Sequence, residues 1–253
     1  MKSIAFYNNK GGVGKTTSVI NIAYSLSPNA TILVIDLDGQ GNSTRFFAED
    51  NVKPGLEKAL VSDVVSPAIA RTETRYPNID IVCATSKLND IVGDFGKLSQ
   101  EQQQRIAENL ISFSDKPWHN SKYDYVLIDM PPALNVITKT ILAACDYVFV
   151  PIELGSFAIQ GIPTVTDIIA ASGAKFGGCF VNKFDKDNPS DIGLMEMLKS
   201  ALGNKALSSY IPYSRVVKNA ISYGMTAQEY MGWTYATECC TKLANEIKER
   251  ISE

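Results

Sequence analysis

The segment NNKGGVGKTTS at Asn8–Ser18 sets glycines, two lysines and a run of hydroxyl residues where the apolar run Ile4–Tyr7 ends and an amphipathic pattern begins. With no side chains in the way, Gly11, Gly12 and Gly14 let successive backbone N–H groups turn toward one point. This makes a nest for phosphate oxygens at the positive end of a helix dipole. Lys15 can then reach the outer phosphates of a bound nucleotide, the Thr16 hydroxyl is placed to ligate Mg²⁺, and Val13 and Thr17 complete the cradle. The competing reading is a glycine-rich turn with two surface lysines. The eight consecutive matching residues KGGVGKTT, set between a strand and a helix, outweigh it.

Carboxylates follow at the spacing such a site needs. Asp36 and Asp38 close the second apolar run in VIDLDGQGNST, and Asp129 closes another in VLIDMPP. At the carboxyl ends of parallel strands, all three face the edge where doubly wound sheets bind ligands. An aspartate ending an apolar strand is the Walker B arrangement, so we assign Asp129 to the Mg²⁺ shell, with Asp36 as a further outer partner. Taken singly, each aspartate reads more readily as a strand-end or cap residue. Beside the glycine loop that reading fails.

A strict GxxxxGK[ST] pattern needs glycine at position 9, where this chain has Asn9. KGGVGKTT is instead the deviant Walker A of the ParA/MinD class. The sequence resembles that class over nearly its whole length: strongly at 8–18 and 34–44, clearly at 124–132, and loosely beyond about 145. The resemblance implies an ATPase that uses ATP and Mg²⁺ and works as a homodimer in the ATP state. Lys10 would reach across the dimer interface to phosphates in the partner subunit and neutralise charge on the transferred group. Asp38 would position or activate the attacking water.

FVNKFDKD (Phe180–Asp187) ends another strand with Asn182, whose side chain can pair with both donor and acceptor positions of a purine edge; it matches the class position that reads adenine. Pro212, in IPYSRVVKNAISYGM, would pack on the base, with Tyr213 where the class carries a basic residue. Gly39 stands where the class has proline, and Met130 where it often has a small polar residue or cysteine. Val150–Val165 resembles the stretch that lines the dimer interface, while on its own it reads equally well as a buried strand and a capped helix.

The elements that must position these residues follow βαβ grammar. Ser3–Tyr7, Thr31–Asp36, Ile79–Cys83, Tyr125–Asp129, Tyr147–Ile152 and Gly178–Val181 read as strands, with a weaker one at Leu207–Ile211. Several are apolar at consecutive positions, as central parallel strands covered on both faces should be. Thr16–Leu26, Gln100–Phe113, Thr164–Ala171, Asp191–Leu202 and Ala227–Arg250 carry helical patterns. The expected architecture is α/β, a doubly wound, mostly parallel sheet flanked by helices. With 253 residues, 45% of them hydrophobic, and no repeat or linker, we expect a single P-loop domain over 1–253 and no N-terminal DNA-reading module.

The output of such a switch is less legible. ParA relatives bind DNA non-specifically as ATP dimers and answer to a centromere-binding, ParB-like partner, which would make this a plasmid or chromosome partition ATPase. MinD relatives bind membrane through a C-terminal helix, the alternative being a membrane- or cargo-positioning ATPase. Here the tail TKLANEIKERISE carries three glutamates, two lysines and an arginine and no bulky aromatic residue. A membrane-surface helix should be basic with large apolar residues, so packing on the domain is the better reading. The net charge of −3 means that DNA binding needs a local or dimer-assembled patch. Arg215 and Lys218 are candidates. Lys175, Lys183 and Lys186 also cluster, although such clusters are usually solvated surface.

No secretory or transit pattern opens the chain, and no apolar run approaches the ~20 residues of a spanning helix. We therefore expect a cytoplasmic, nucleoid-associated protein and no membrane partner. The five scattered cysteines read as buried thiols rather than disulfides or a cluster site. An electron-transfer ATPase like the nitrogenase iron protein, which bridges its subunits through interface cysteines, is disfavoured by Cys145 after a helix and Cys179 inside a strand. A non-hydrolysing scaffold is disfavoured by the full set Lys10, Lys15, Thr16, Asp38 and Asp129. The single histidine, His119, reads as a surface-loop residue.

Overall fold

The computed structural model describes residues 1–62, 64–112, 123–155 and 158–252; His119 and Phe113 lie outside them. Among the described residues eight strands form one sheet: β1 (Lys2–Phe6), β2 (Ile32–Asp36), β3 (Arg71–Glu73), β4 (Ile79–Val82), β5 (Tyr125–Asp129), β6 (Tyr147–Glu153), β7 (Lys175–Phe184) and β8 (Ile211–Pro212). Their order is β3-β4-β2-β5-β1-β6-β7-β8, and every pairing is parallel except that of the edge strand β3 with β4.

Consecutive apolar residues in the central strands feed opposite faces. Ile4, Phe6, Ile32 and Val34 enter one core, whereas Ala5, Tyr7, Leu33 and Ile35 enter the other. The first core is covered by α1 (Lys15–Leu26), α2 (Asn42–Ala48) and the C-terminal helix α11 (Tyr235–Ser252). The second is covered chiefly by α5 (Gln100–Ser112), α6 (Val136–Ala144), α7 (Ala158–Ser172) and α8 (Pro189–Leu202). Each fully buried Ile or Leu stabilises this sandwich by roughly 1.5–3 kcal/mol. Short helices α3 (Leu56–Leu60), α4 (Val92–Lys97), α9 (Arg215–Ser222) and α10 (Ala227–Met231) fill the connections.

Three expectations are corrected. The last strand lies at Ile211–Pro212 rather than Leu207–Ile211, because the backbone N–H groups of Ser208 and Ser209 donate to the Glu246 carboxylate at 2.9 and 2.7 Å and leave the ladder. The single long helix expected over Ala227–Arg250 is two, α10 and α11. Gly232 turns left-handed at φ 65°, and the Thr234 hydroxyl accepts the Thr237 N–H to start the second helix. Helix α7 also begins before Pro163, where the expected helix started after it.

The register fixes where chemistry can occur. Asp36 on β2 pairs with Asp129 on β5, and Asp129 pairs with Phe6 on β1. Both carboxylates therefore lie on one line across the carboxyl edge, beside the point where β1 gives way to the glycine loop. β1 sits between β5 and β6, at the reversal of strand order where a crevice opens.

Candidate active site

The loop from β1 to α1 is tied down by its own side chains. Asn8 donates its amide to the carbonyl of Pro151 on β6 at 2.9 Å, and its Oδ1 accepts the Lys10 N–H at 2.9 Å. Gly12 and Gly14 take φ of 77° and 89°, left-handed values open to glycine. Gly14 caps α1 with no side-chain hydrogen bond, so the first N–H groups of that helix face the loop, as an anion site requires. The two lysines part ways. Lys15 is buried, and its Nζ donates to the carbonyls of Asn8 (2.9 Å) and Lys10 (3.2 Å); an ammonium has one further N–H to give. Burial pulls its pKa down, against the opposing charges of Asp129 and Asp38. The Lys10 side chain is exposed.

Asp129 is 1% exposed, and its Oδ2 accepts the hydroxyls of Thr16 and Ser43, each at 2.7 Å. Burial pushes this carboxyl above the usual range, and the two hydroxyls act against the shift. The Asp36 carboxylate, fully buried, accepts the Thr44 N–H (2.8 Å) and hydroxyl (2.9 Å) on Oδ2 and the Asp38 N–H (3.1 Å) on Oδ1. Burial raises its pKa too, followed by the charge of Asp129. Asp36 therefore braces α2 and the turn after β2 with both of its oxygens. Asp38 is half-buried. Its Oδ1 accepts the Gln40 N–H at 2.9 Å and its carbonyl accepts the Gly41 N–H at 2.8 Å, a turn that returns it to the same edge, where its charge acts on Lys15 and Asp129.

This donor set fits Mg²⁺. Its groups are hard oxygens from a hydroxyl and carboxylates, and Mg²⁺ keeps most of its shell for water and phosphate. Thr16 and Asp129 would hold the ion, which when bound supplies charge to neutralise the phosphates. Ser43 and Thr44, which seat the two buried carboxylates, were missed in sequence. The available signal was the hydroxyl pair just after Gly41 in GQGNST, which reads first as turn chemistry.

At the end of β7, Asn182 is buried: its Nδ2 donates to the Val13 carbonyl at 2.8 Å and its Oδ1 accepts the Lys183 N–H at 2.9 Å. The side chain expected at a purine edge is thus engaged with the glycine loop, with one amide N–H and one lone pair left over. Pro212 lines a neighbouring cleft of about 260 Å³ with Phe184, Asp185, Lys186, Tyr213 and Tyr235. Arg215 and Lys218 are exposed one turn apart on α9, across from buried Val217 and Ala220. All five cysteines are buried and unpaired, and Cys145 donates its thiol to the Ile141 carbonyl.

The profile of the AAA domain family matches residues 1–175, from the glycine loop past both aspartate strands. The chain belongs to this family. Within it the chain is of the ParA type, a P-loop partition ATPase that hydrolyses ATP with Mg²⁺. It is 28% identical over 261 residues to the chromosome partitioning protein ParA of Caulobacter vibrioides, covering 99% of this chain and 95% of that one. Its fold matches McdA of Cyanothece at a TM-score of 0.82 with 22% identity, across 99% of both chains. It also matches cobyrinic acid a,c-diamide synthase of Mycobacterium smegmatis with bound ADP and magnesium, at 0.81 with 20% identity, covering all of this chain and 96% of that one. No helix among the described residues is long and apolar enough to cross a membrane.

Proposed function

We propose that the chain is a dimerising switch for plasmid or chromosome partition. In the ATP state two copies bind DNA without sequence preference, and a centromere-binding adaptor stimulates hydrolysis and resets them. In this reading Gly11, Gly12, Val13, Gly14, Lys15 and Thr17 hold the phosphates, Thr16 and Asp129 hold Mg²⁺ with Asp36 behind them, Asp38 orients the attacking water, and Pro212 and Asn182 meet the base. The observation that carries it is the divergence of the two loop lysines. Lys15 is folded onto its own loop, whereas Lys10 presents an exposed ammonium beside it, free to serve a site outside its own subunit. Helix α11 buries Cys240, Leu243, Ala244 and Ile247 against the domain, which favours DNA over membrane as the output. Arg215 and Lys218 would contact phosphates in a patch that a symmetric dimer doubles. The protein would then reside in the cytoplasm on the nucleoid.

The test is ATPase turnover and DNA retention for wild type and Lys10→Ala, with ATP and with ADP, at low and moderate salt. We expect DNA retention with ATP alone, a steep loss as salt rises, and a Lys10→Ala variant that binds ATP but neither turns over nor retains DNA. Equal retention with ADP would sink the switch, and full turnover by Lys10→Ala would sink the cross-subunit role.

A further inference from the structure

Lys183 is one of two non-glycine residues with positive φ among the described residues, at 57°. L side chains rarely adopt this conformation, and where it persists the surroundings hold it there. Two contacts account for it. The Lys183 N–H donates to Asn182 Oδ1, and the left-handed turn throws the Lys183 side chain back toward the glycine loop, where Nζ donates to the Gly12 carbonyl at 3.0 Å. Asn182 donates to the Val13 carbonyl at 2.8 Å. Two consecutive β7 residues thus grip two consecutive carbonyls of the loop. Glu153 on β6, in register with Asn182, holds the same ammonium at 2.7 Å.

The grip fixes more than two oxygens. In a trans peptide the carbonyl and the following N–H lie in one plane and point in opposite directions. Holding the Gly12 and Val13 carbonyls toward β7 therefore aims the Val13 and Gly14 N–H groups away from it, into the nest that receives phosphate. Gly14 is also needed for the fit, because a Cβ there would lie 1.6 Å from Asn182 Nδ2.

We infer that Asn182 and Lys183 are positioning residues that preset the phosphate loop, with Lys183 holding the Gly12 peptide and Asn182 the Val13 peptide. The inference rests on reading residues 10–17 as the phosphate site. Because the clamp touches the loop and no reacting atom, it acts on nucleotide affinity and leaves the chemical step alone.

The experiment uses the full chain and measures the Kd for ATP and ADP, kcat, KM and Tm in Lys183→Gly, Lys183→Met and Lys183→Arg, with Lys15→Ala as the control. Lys183→Gly relieves the backbone and removes the ammonium, whereas Lys183→Met keeps the strain and most of the stem. We expect both to bind ATP and ADP about tenfold more weakly and to raise KM alike, with kcat within about twofold and Lys183→Gly no less heat-stable than wild type; Lys183→Arg should recover most of the affinity. Wild-type affinity in Lys183→Gly and Lys183→Met, with Lys15→Ala impaired, would overturn the clamp alone. Wild-type affinity in Lys15→Ala would overturn the phosphate-loop reading and the clamp with it. A loss of Tm matching the loss of affinity, unrescued by arginine, would make Lys183 a merely structural residue and overturn the inference as well.

Discussion

The Ser43 hydroxyl donates to Asp129 Oδ2 at 2.7 Å, on the same oxygen that receives Thr16 from the glycine loop. One carboxylate oxygen thereby joins three separate elements, α1, α2 and β5. Ser43 is fully buried and its hydroxyl donates to Asp129, so its part is to orient that carboxylate. Partners of this kind typically set metal affinity by about 10–100-fold. Ser43→Ala should raise the Mg²⁺ concentration needed for half-maximal ATPase activity by about tenfold or more. Its affinity for ATP without Mg²⁺ should stay near wild type. A Mg²⁺ titration of turnover that superimposes on wild type would refute this.

Gly14 has no substitute in this loop. Its φ of 89° costs an L residue roughly 1–2 kcal/mol, and a Cβ would collide with the Asn182 amide. Gly14→Ala should abolish measurable nucleotide binding while the far-UV spectrum stays native. The double variant Gly14→Ala/Asn182→Ala should recover part of the binding, since it removes the clash and keeps the strain. Isothermal titration with ATP on both variants and on Asn182→Ala alone checks the set, and a double variant that binds no better than Gly14→Ala would show that relieving the clash restores nothing.

Glu246 on α11 accepts the N–H groups of Ser208 and Ser209 and pairs with Arg250 at 3.0 Å. Burial pushes its pKa up, but the two backbone donors and the guanidinium outweigh it, and the carboxyl is held below the usual range. A depressed folded-state value means that its contribution is complete above the unfolded glutamate value of about 4.3 and fades as pH falls through the lower folded value. Glu246→Gln should cost about 1–2 kcal/mol at pH 7. The gap to wild type should be flat from pH 7 to about 5 and narrow on further acidification. Urea melts at several pH values test this, and a gap that widens in acid would contradict it.

Much of this was legible because the informative segments are long or chemically constrained. Tyr125–Asp129 was read with its observed bounds because a central strand covered on both faces leaves an unbroken apolar run. The doubly wound sheet follows from several such runs. What escaped is short or decided at a distance. Helix α2 spans seven residues and starts from a left-handed Gly41, too brief for a 3.6-residue period to show. β3 is a three-residue antiparallel edge strand held in part by the Arg71–Asp80 ion pair. The grip of Asn182 on Val13 joins residues 169 positions apart, and no local pattern encodes it.

The C-terminal helix separates the two candidate outputs by stability alone. A membrane anchor would be dispensable to the fold, whereas α11 puts Leu243, Ala244 and Ile247, all 0% exposed, into the core it shares with α1 and the sheet. Its charged residues pair along the helix instead of massing on one face, Lys242 with Glu238 and Arg250 with Glu246. Leu243→Ala should therefore cost about 2–5 kcal/mol, the range for truncating a buried leucine. For a chain of this size, that lowers Tm by roughly 2–4 °C per kcal/mol. Because Leu243 is remote from the glycine loop in sequence and is buried behind α1, ATP affinity well below the new Tm should be close to wild type. Calorimetry and nucleotide titration on the same sample make the comparison. A variant with unchanged Tm that lost binding to anionic vesicles would show that the helix serves a membrane instead.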